Sequence, residues 1–164
     1  MSSYAILGCG SVGYAVAEGL VADGKDVLIL DKDESRVESL RHQDLNAQQA
    51  DISNPDIADV VADRGVLLIL ASDIEANKAA VSAIRERGGD QFVVARASDP
   101  VTEDELAELG ADVVINPSKQ LAEVLEGAPD GLAVLTNDNP DPDSIASAVA
   151  LQAIAREHGI DAVI

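Results

Sequence analysis

Short aliphatic and β-branched runs alternate along this chain with longer stretches whose apolar positions recur at helical spacing. Tyr4 to Leu7 predicts a first strand, and Ser11 to Asp23 a helix closed by Gly24 in a left-handed cap. Val12, Val16 and Leu20 form the apolar stripe of that helix. Val27 to Leu30 predicts the second strand, Asp33 caps a helix through Leu40, and Asn46 to Ala50 is a weaker third strand. A short helix is expected over Pro55 to Ala62, with proline in its first turn. Val66 to Leu70 is apolar at every position, the pattern of a central parallel strand covered on both faces. The alternation continues with a helix over Ile74 to Arg87, a strand over Phe92 to Ala95, and a helix from Asp99-Pro100 to Gly110. A strand over Asp112 to Ile115 and a helix from Pro117 to about Glu126 complete it. Six strands separated by helices predict an α/β fold, a doubly wound parallel sheet in the order 3-2-1-4-5-6.

The turn-rich stretch Gly127 to Gly131 marks a candidate boundary between a domain over residues 1–127 and a segment over residues 128–164. That segment reads as a strand over Leu132 to Leu135, a helix over Ser144 to Glu157 and the start of a strand at Asp161 to Ile164. So small a strand–helix extension cannot bury both faces of a sheet, so the chain is expected to be a piece of a longer protein.

Gly8-Cys9-Gly10-Ser11-Val12-Gly13 lies between the first strand and the first helix, the setting in which G-x-G-x-x-G marks a Rossmann-type dinucleotide site. Gly8 serves the tight turn, Gly10 the approach of a pyrophosphate, and Gly13 the packing of helix on strand. Amides around Ser11 and Val12, at the positive end of the helix, are the expected phosphate ligands. Asp31 ends the second strand 23 residues after Gly8. A carboxylate there accepts hydrogen bonds from ribose hydroxyls and repels a 2′-phosphate, which favours NAD(H) over NADP(H). Its other reading is a helix cap, a task for which Asp33 is better placed. Lys32 is a solvated charge that softens this discrimination. Cys9 reads as a small packed side chain, and His42 and His158 as surface residues near helix ends.

Charge narrows the partners. Thirty acidic residues against 11 basic ones give a formal net charge of −19, which repels nucleic acid and anionic membranes. The same balance suits a halophilic origin. Cys9 is the single cysteine, so no disulfide framework is expected. No apolar run reaches the length of a membrane helix and no leader pattern opens the chain, so direct membrane insertion is not expected and the expected location is cytoplasmic.

Further stretches carry a resemblance. Ile6 to Gly13, Leu30 to Asp33, Ala50 to Ser53, Ala71 to Asn77, Ala95 to Pro100 and Leu109 to Pro117 together resemble the TrkA-N or RCK domain. That domain is the regulatory nucleotide-binding module of potassium channels and transporters. The resemblance implies that Asp51 and Ile52 meet the adenine, that Ala71 and Ser72 line the nucleotide, and that Arg96 reaches a phosphate. For Asp51 a helix-cap role, and for Arg96 an ion pair with Asp99, stand as the other readings. It also implies binding of NAD(H) or another adenine nucleotide as a signal, and a homodimer.

Thr136 to Ala148 resembles the first motif of DHH-family phosphoesterases of the exopolyphosphatase-related kind, with Asn137 where that family has histidine. The resemblance makes Asp141 and Asp143 ligands for Mg or Mn in a full-length parent. An acidic Asn/Pro turn capping a helix is the other reading. The expected function is thus a nucleotide-sensing regulatory domain in cis to a phosphoesterase. The alternatives are a cytoplasmic regulatory subunit acting in trans on a potassium transporter, and a piece of an NAD-dependent oxidoreductase. No hydride-transfer centre with a placed general base stands out in the first 127 residues, which counts against the last.

Overall fold

The computed structural model describes residues 3–120, 131–133, 153 and 161–163. Its elements are β1 (Ser3–Leu7), α1 (Ser11–Ala22), β2 (Asp26–Asp31), α2 (Glu34–Arg41), β3 (Ala47–Gln49), α3 (Ile57–Val60) and β4 (Val66–Ile69). They continue as α4 (Ile74–Glu86), β5 (Phe92–Arg96), α5 (Pro100–Glu108), β6 (Val113–Ile115), β7 (Gly131–Ala133) and β8 (Asp161–Val163). β1 to β6 form one parallel sheet in the order β3-β2-β1-β4-β5-β6, as the alternation predicts.

Contacts divide the chain into Met1–Ile115 and Asn116–Ile164. In the second unit residues 117–120 are helical, with the Asn116 side chain accepting from the Lys119 amide at 3.2 Å, and β7 pairs with β8 in parallel. Most of the helix expected over Ser144 to Glu157 lies outside the described residues, as do Asp141 and Asp143.

In the first unit the period-2 alternation of parallel strands builds two cores. Leu7, Leu30, Leu67 and Ile69 point to one face, where Ile57, Val81, Ile84 and Leu106 from α3, α4 and α5 cover them. Ile6 and Ile29 point to the other face, against Ala17 of α1 and Val37 and Leu40 of α2. On that second face Val66 and Leu68 are only half-buried among the described residues, so β4 is not covered on both faces there. The innermost residues of α1 are Gly13 and Ala17, with Val12, Val16 and Leu20 flanking them, so small side chains bring this helix close to the sheet. The helix expected over Pro55 to Ala62 contracts to one turn, α3, flanked by turns.

The topology puts the functional edge where the strand order reverses. Leu7 pairs with Leu30 on one side and Ile69 on the other, so the crevice beyond β1 opens between the connections that follow β1 and β4.

Candidate functional site

The three glycines of the loop do different work. Gly8 has φ +90°, and a Cβ there would lie 2.7 Å from the backbone of Ala71, while its amide donates to Leu30 O at 2.8 Å. A Cβ on Gly13 would lie 2.4 Å from Gly8 O. Both positions are thus closed by the protein's own backbone. Gly10 differs. Its φ of −72° and ψ of −165° suit any residue, and a Cβ there would meet nothing within 4 Å. Neither backbone strain nor crowding by the protein requires glycine at this position, whereas close approach of a ligand would.

Gly10 is also the N-cap of α1, and it supplies no side-chain cap. Its carbonyl accepts from Tyr14 N–H at 2.9 Å, and the first turn of the helix contains no acidic residue. Other helices here are closed differently: Asp33, Asp73 and Asp99 cap α2, α4 and α5 through their carboxylates. In a chain this acidic, α1 has neither a carboxylate nor a side-chain cap at its positive end.

Asp31 is 5% exposed. Its Oδ2 accepts from Cys9 N–H at 2.8 Å and from Arg36 Nη1 at 3.3 Å, and its Oδ1 accepts from Asp33 N–H at 2.9 Å. The carboxylate therefore ties the glycine loop to the turn after β2. Burial, and after it the negative charge of Asp31, pushes the Cys9 thiol up to about 11, so the side chain is a packed neutral thiol at neutral pH.

The other expected residues fall along the same C-terminal edge of the sheet. Asp51 is exposed after β3, and its carboxylate holds Ser53 through N–H at 3.0 Å and Oγ at 2.7 Å. Those bonds, the hydroxyl first, keep Asp51 below the usual carboxylate range. Ile52 is 6% exposed and packs into the core, so its side chain is held mainly by protein. Ala71 and Ser72 follow β4, with Ala71 against Gly8 and Ser72 exposed. Asp99 is engaged by Ser98 and Thr102 and makes no ion pair with Arg96. Among the described residues Lys32 and Arg96 carry no side-chain hydrogen bond or ion pair, while Arg64, Lys78, Arg85 and Arg87 are each paired with acids. Two cations without a hydrogen-bonded acid thus stand at the ends of β2 and β5, and the Lys32 charge helps to hold Asp51 low. His42 is the C-cap residue of α2, away from this edge, and His158 lies outside the described residues.

Two residues with work at this edge have no role in the sequence reading. One is Arg36, which reaches back from α2 to Asp31. The other is Asn77, fully buried in α4, whose Nδ2 donates to Ala71 O at 2.9 Å and Arg96 O at 3.0 Å. It joins the connections after β4 and β5. The signal for it is legible: a polar residue on the stripe Asn77, Ala80, Val81, Ile84 that α4 buries.

A match to the TrkA-N domain runs from residue 4 to residue 117. The chain belongs to the TrkA-N domain family. The uncharacterized protein MJ1633 of Methanocaldococcus jannaschii is 24% identical over 197 residues, covering 98% of this chain and 41% of that protein. This chain therefore spans about two fifths of the length of that curated relative. The NAD(P)-binding domain of an exopolyphosphatase-related protein from Archaeoglobus fulgidus is 26% identical, with a TM-score of 0.69 over 76% of this chain and 94% of that one. The GsuK channel in its NAD-bound form shares the fold at 15% identity and a TM-score of 0.69, covering 76% of this chain and 23% of that one. Among the described residues of this TrkA-N chain, no helix is long and apolar enough to cross a membrane, and no cluster of three or more acidic, His or Cys side chains suits a metal.

Proposed function

We propose that this TrkA-N domain binds an adenine dinucleotide, NAD(H) first, as a regulatory signal. One observation carries the reading: the space beside Gly10 stays open at the uncapped positive end of α1, while Gly8 and Gly13 are closed by backbone. The pyrophosphate lies on the amides of Ser11 and Val12, the ribose lies towards Asp31, and the adenine lies towards Asp51 and Ile52. Lys32 and Arg96 supply positive charge on either side, and Ala71 and Ser72 wall the crevice. The carboxylates along this edge hold backbone amides and hydroxyls, an arrangement that suits holding a ligand and passing on its presence. The NAD(P)-binding description of the Archaeoglobus relative and the NAD-bound state of the GsuK channel support the same ligand class.

Nucleotide at a hundredfold excess over Kd is expected to stabilise the fold by about 2.7 kcal/mol. Melts that do not shift with NAD, NADH, AMP or ATP would contradict the reading.

The regulated activity, in this proposal, is a DHH-type phosphoesterase in the same polypeptide, with Asp141 and Asp143 as ligands for Mg or Mn. The acidic motif at Thr136 to Ala148 and the exopolyphosphatase-related description of the Archaeoglobus protein support it. The longer protein is expected to hydrolyse phosphodiesters or polyphosphate with manganese, and Asp141→Ala or Asp143→Ala to abolish turnover while nucleotide affinity is kept. Full activity in both variants favours the second reading, a regulator of potassium transport acting in trans, which the likeness to a channel domain supports. A homodimer is proposed for either case.

A further inference from the structure

The hydrogen bonds around Asp31 bear on which dinucleotide this site takes, an inference that rests on the nucleotide reading above. A carboxylate offers about four acceptor sites. Cys9 N–H, Asp33 N–H and the Arg36 guanidinium occupy three of those on Asp31. A ribose 2′,3′-diol asks for two. The two backbone donors are fixed by the glycine loop and the turn into α2. Arg36 is the donor that can leave: its contact is the longest of the three, 3.3 Å, and its side chain is 47% exposed against 7% for Asp31. Diol and guanidinium therefore compete for the same carboxylate.

A 2′-phosphate changes the contest. It asks nothing of Asp31, whose negative charge already faces a guanidinium, and it presents oxygens that an arginine fork binds well. Asp33, in the same turn, holds the Ser35 and Arg36 amides as the cap of α2. Lys32, exposed at the end of β2 with its charge acting on Asp51, adds a second positive charge to this edge.

We propose that Arg36 makes the ribose end of this site tolerant of a 2′-phosphate, so that the domain takes NADP(H) as well as NAD(H), and that Arg36 sets the ratio between them. Asp31 then acts chiefly as the bracket of the loop, and its expected exclusion of the phosphorylated cofactor is offset by its own partner.

Titrations of NADH and NADPH at fixed salt, on the wild type, Arg36→Ala and Arg36→Gln, test this, with ligand-free melts of each alongside. The wild type is expected to bind both cofactors within about tenfold of each other. Both variants are expected to lose about tenfold or more for NADPH, the weight of a charge-assisted hydrogen bond, and to bind NADH equally or more tightly. Arg36→Gln keeps the length of the side chain should the alanine variant melt early. A wild type that binds NADH and rejects NADPH by roughly a hundredfold overturns this proposal and leaves the nucleotide site standing. Equal losses for both cofactors in both variants also overturn it, because Arg36 then supports the loop alone. Binding of neither cofactor to the wild type removes the nucleotide reading and this proposal together.

Discussion

Gly13→Ala is expected to cost this domain at least about 3 kcal/mol, out of the roughly 5–15 kcal/mol that hold a domain folded. The added methyl would stand 2.4 Å from Gly8 O, a backbone atom with no rotamer to change. Relief requires α1 to move away from β1, which opens the core around Ile6 and Ala17. Gly8→Ala meets the same limit by another route. Its methyl would lie 2.7 Å from the Ala71 backbone, and φ of +90° adds a conformational penalty of about 1–3 kcal/mol for any side chain. Gly10→Ala, with open space around it, is expected to stay within about 0.5 kcal/mol of the wild type. Urea unfolding of the three variants checks this order. A Gly13 variant as stable as the Gly10 variant would mean that the loop is not packed as described.

Asn77→Ala is expected to cost about 2–5 kcal/mol, the largest effect outside the glycine loop. One buried amide group satisfies two carbonyls, Ala71 O and Arg96 O, and each loses its partner at about 1–3 kcal/mol when the side chain is cut back. Two acceptors on one side fix the orientation of the amide, because its oxygen could not face them. That oxygen has no hydrogen-bond partner among the described residues, a cost that the two donor bonds offset. Asn77→Asp keeps the size and replaces the donor with an acceptor buried against carbonyls, so it is expected to be at least as damaging. Because Asn77 ties Arg96 and Ala71 in place, the variants also lose nucleotide affinity at temperatures where they remain folded. Denaturation midpoints are the measurement, and a loss below about 0.5 kcal/mol for both would show that the carbonyls find other partners.

Much of this architecture is legible in the chain because its parallel strands read as short, largely aliphatic runs between stretches of helical periodicity. Asp33 and Asp99 declare their helices through local spacing, and both caps form as expected. The glycine motif is legible too, but the division of labour within it is not. Gly8 is closed by Ala71, which lies on the connection after β4 and meets the loop only through sheet order. Asp31 shows the same limit. Its place at the end of β2 is plain from sequence, yet its donors come from Cys9, 22 residues earlier, and from Arg36 on the next helix. An isolated strand-end carboxylate reads as free for ribose, and only the folded loop shows how far it is already occupied. The family resemblance makes Ile52 a lining residue beside Asp51, but in the turn after β3 its side chain packs into the core. The ion pair open to Arg96 in the sequence does not form, because the Thr102 capping box engages Asp99, a contact that depends on the folded turn.

Titration calorimetry of NADH on the wild type and on Gly10→Val tests the central claim most directly. The substitution fills the open space beside the first turn of α1 with a side chain and leaves the contacts of Gly8 and Gly13 alone. The wild type is expected to bind one NADH per chain, and Gly10→Val to melt like the wild type in the absence of ligand and to show no heat of binding. Equal binding by a correctly folded Gly10→Val, or no binding by the wild type, would contradict a pyrophosphate site at this loop.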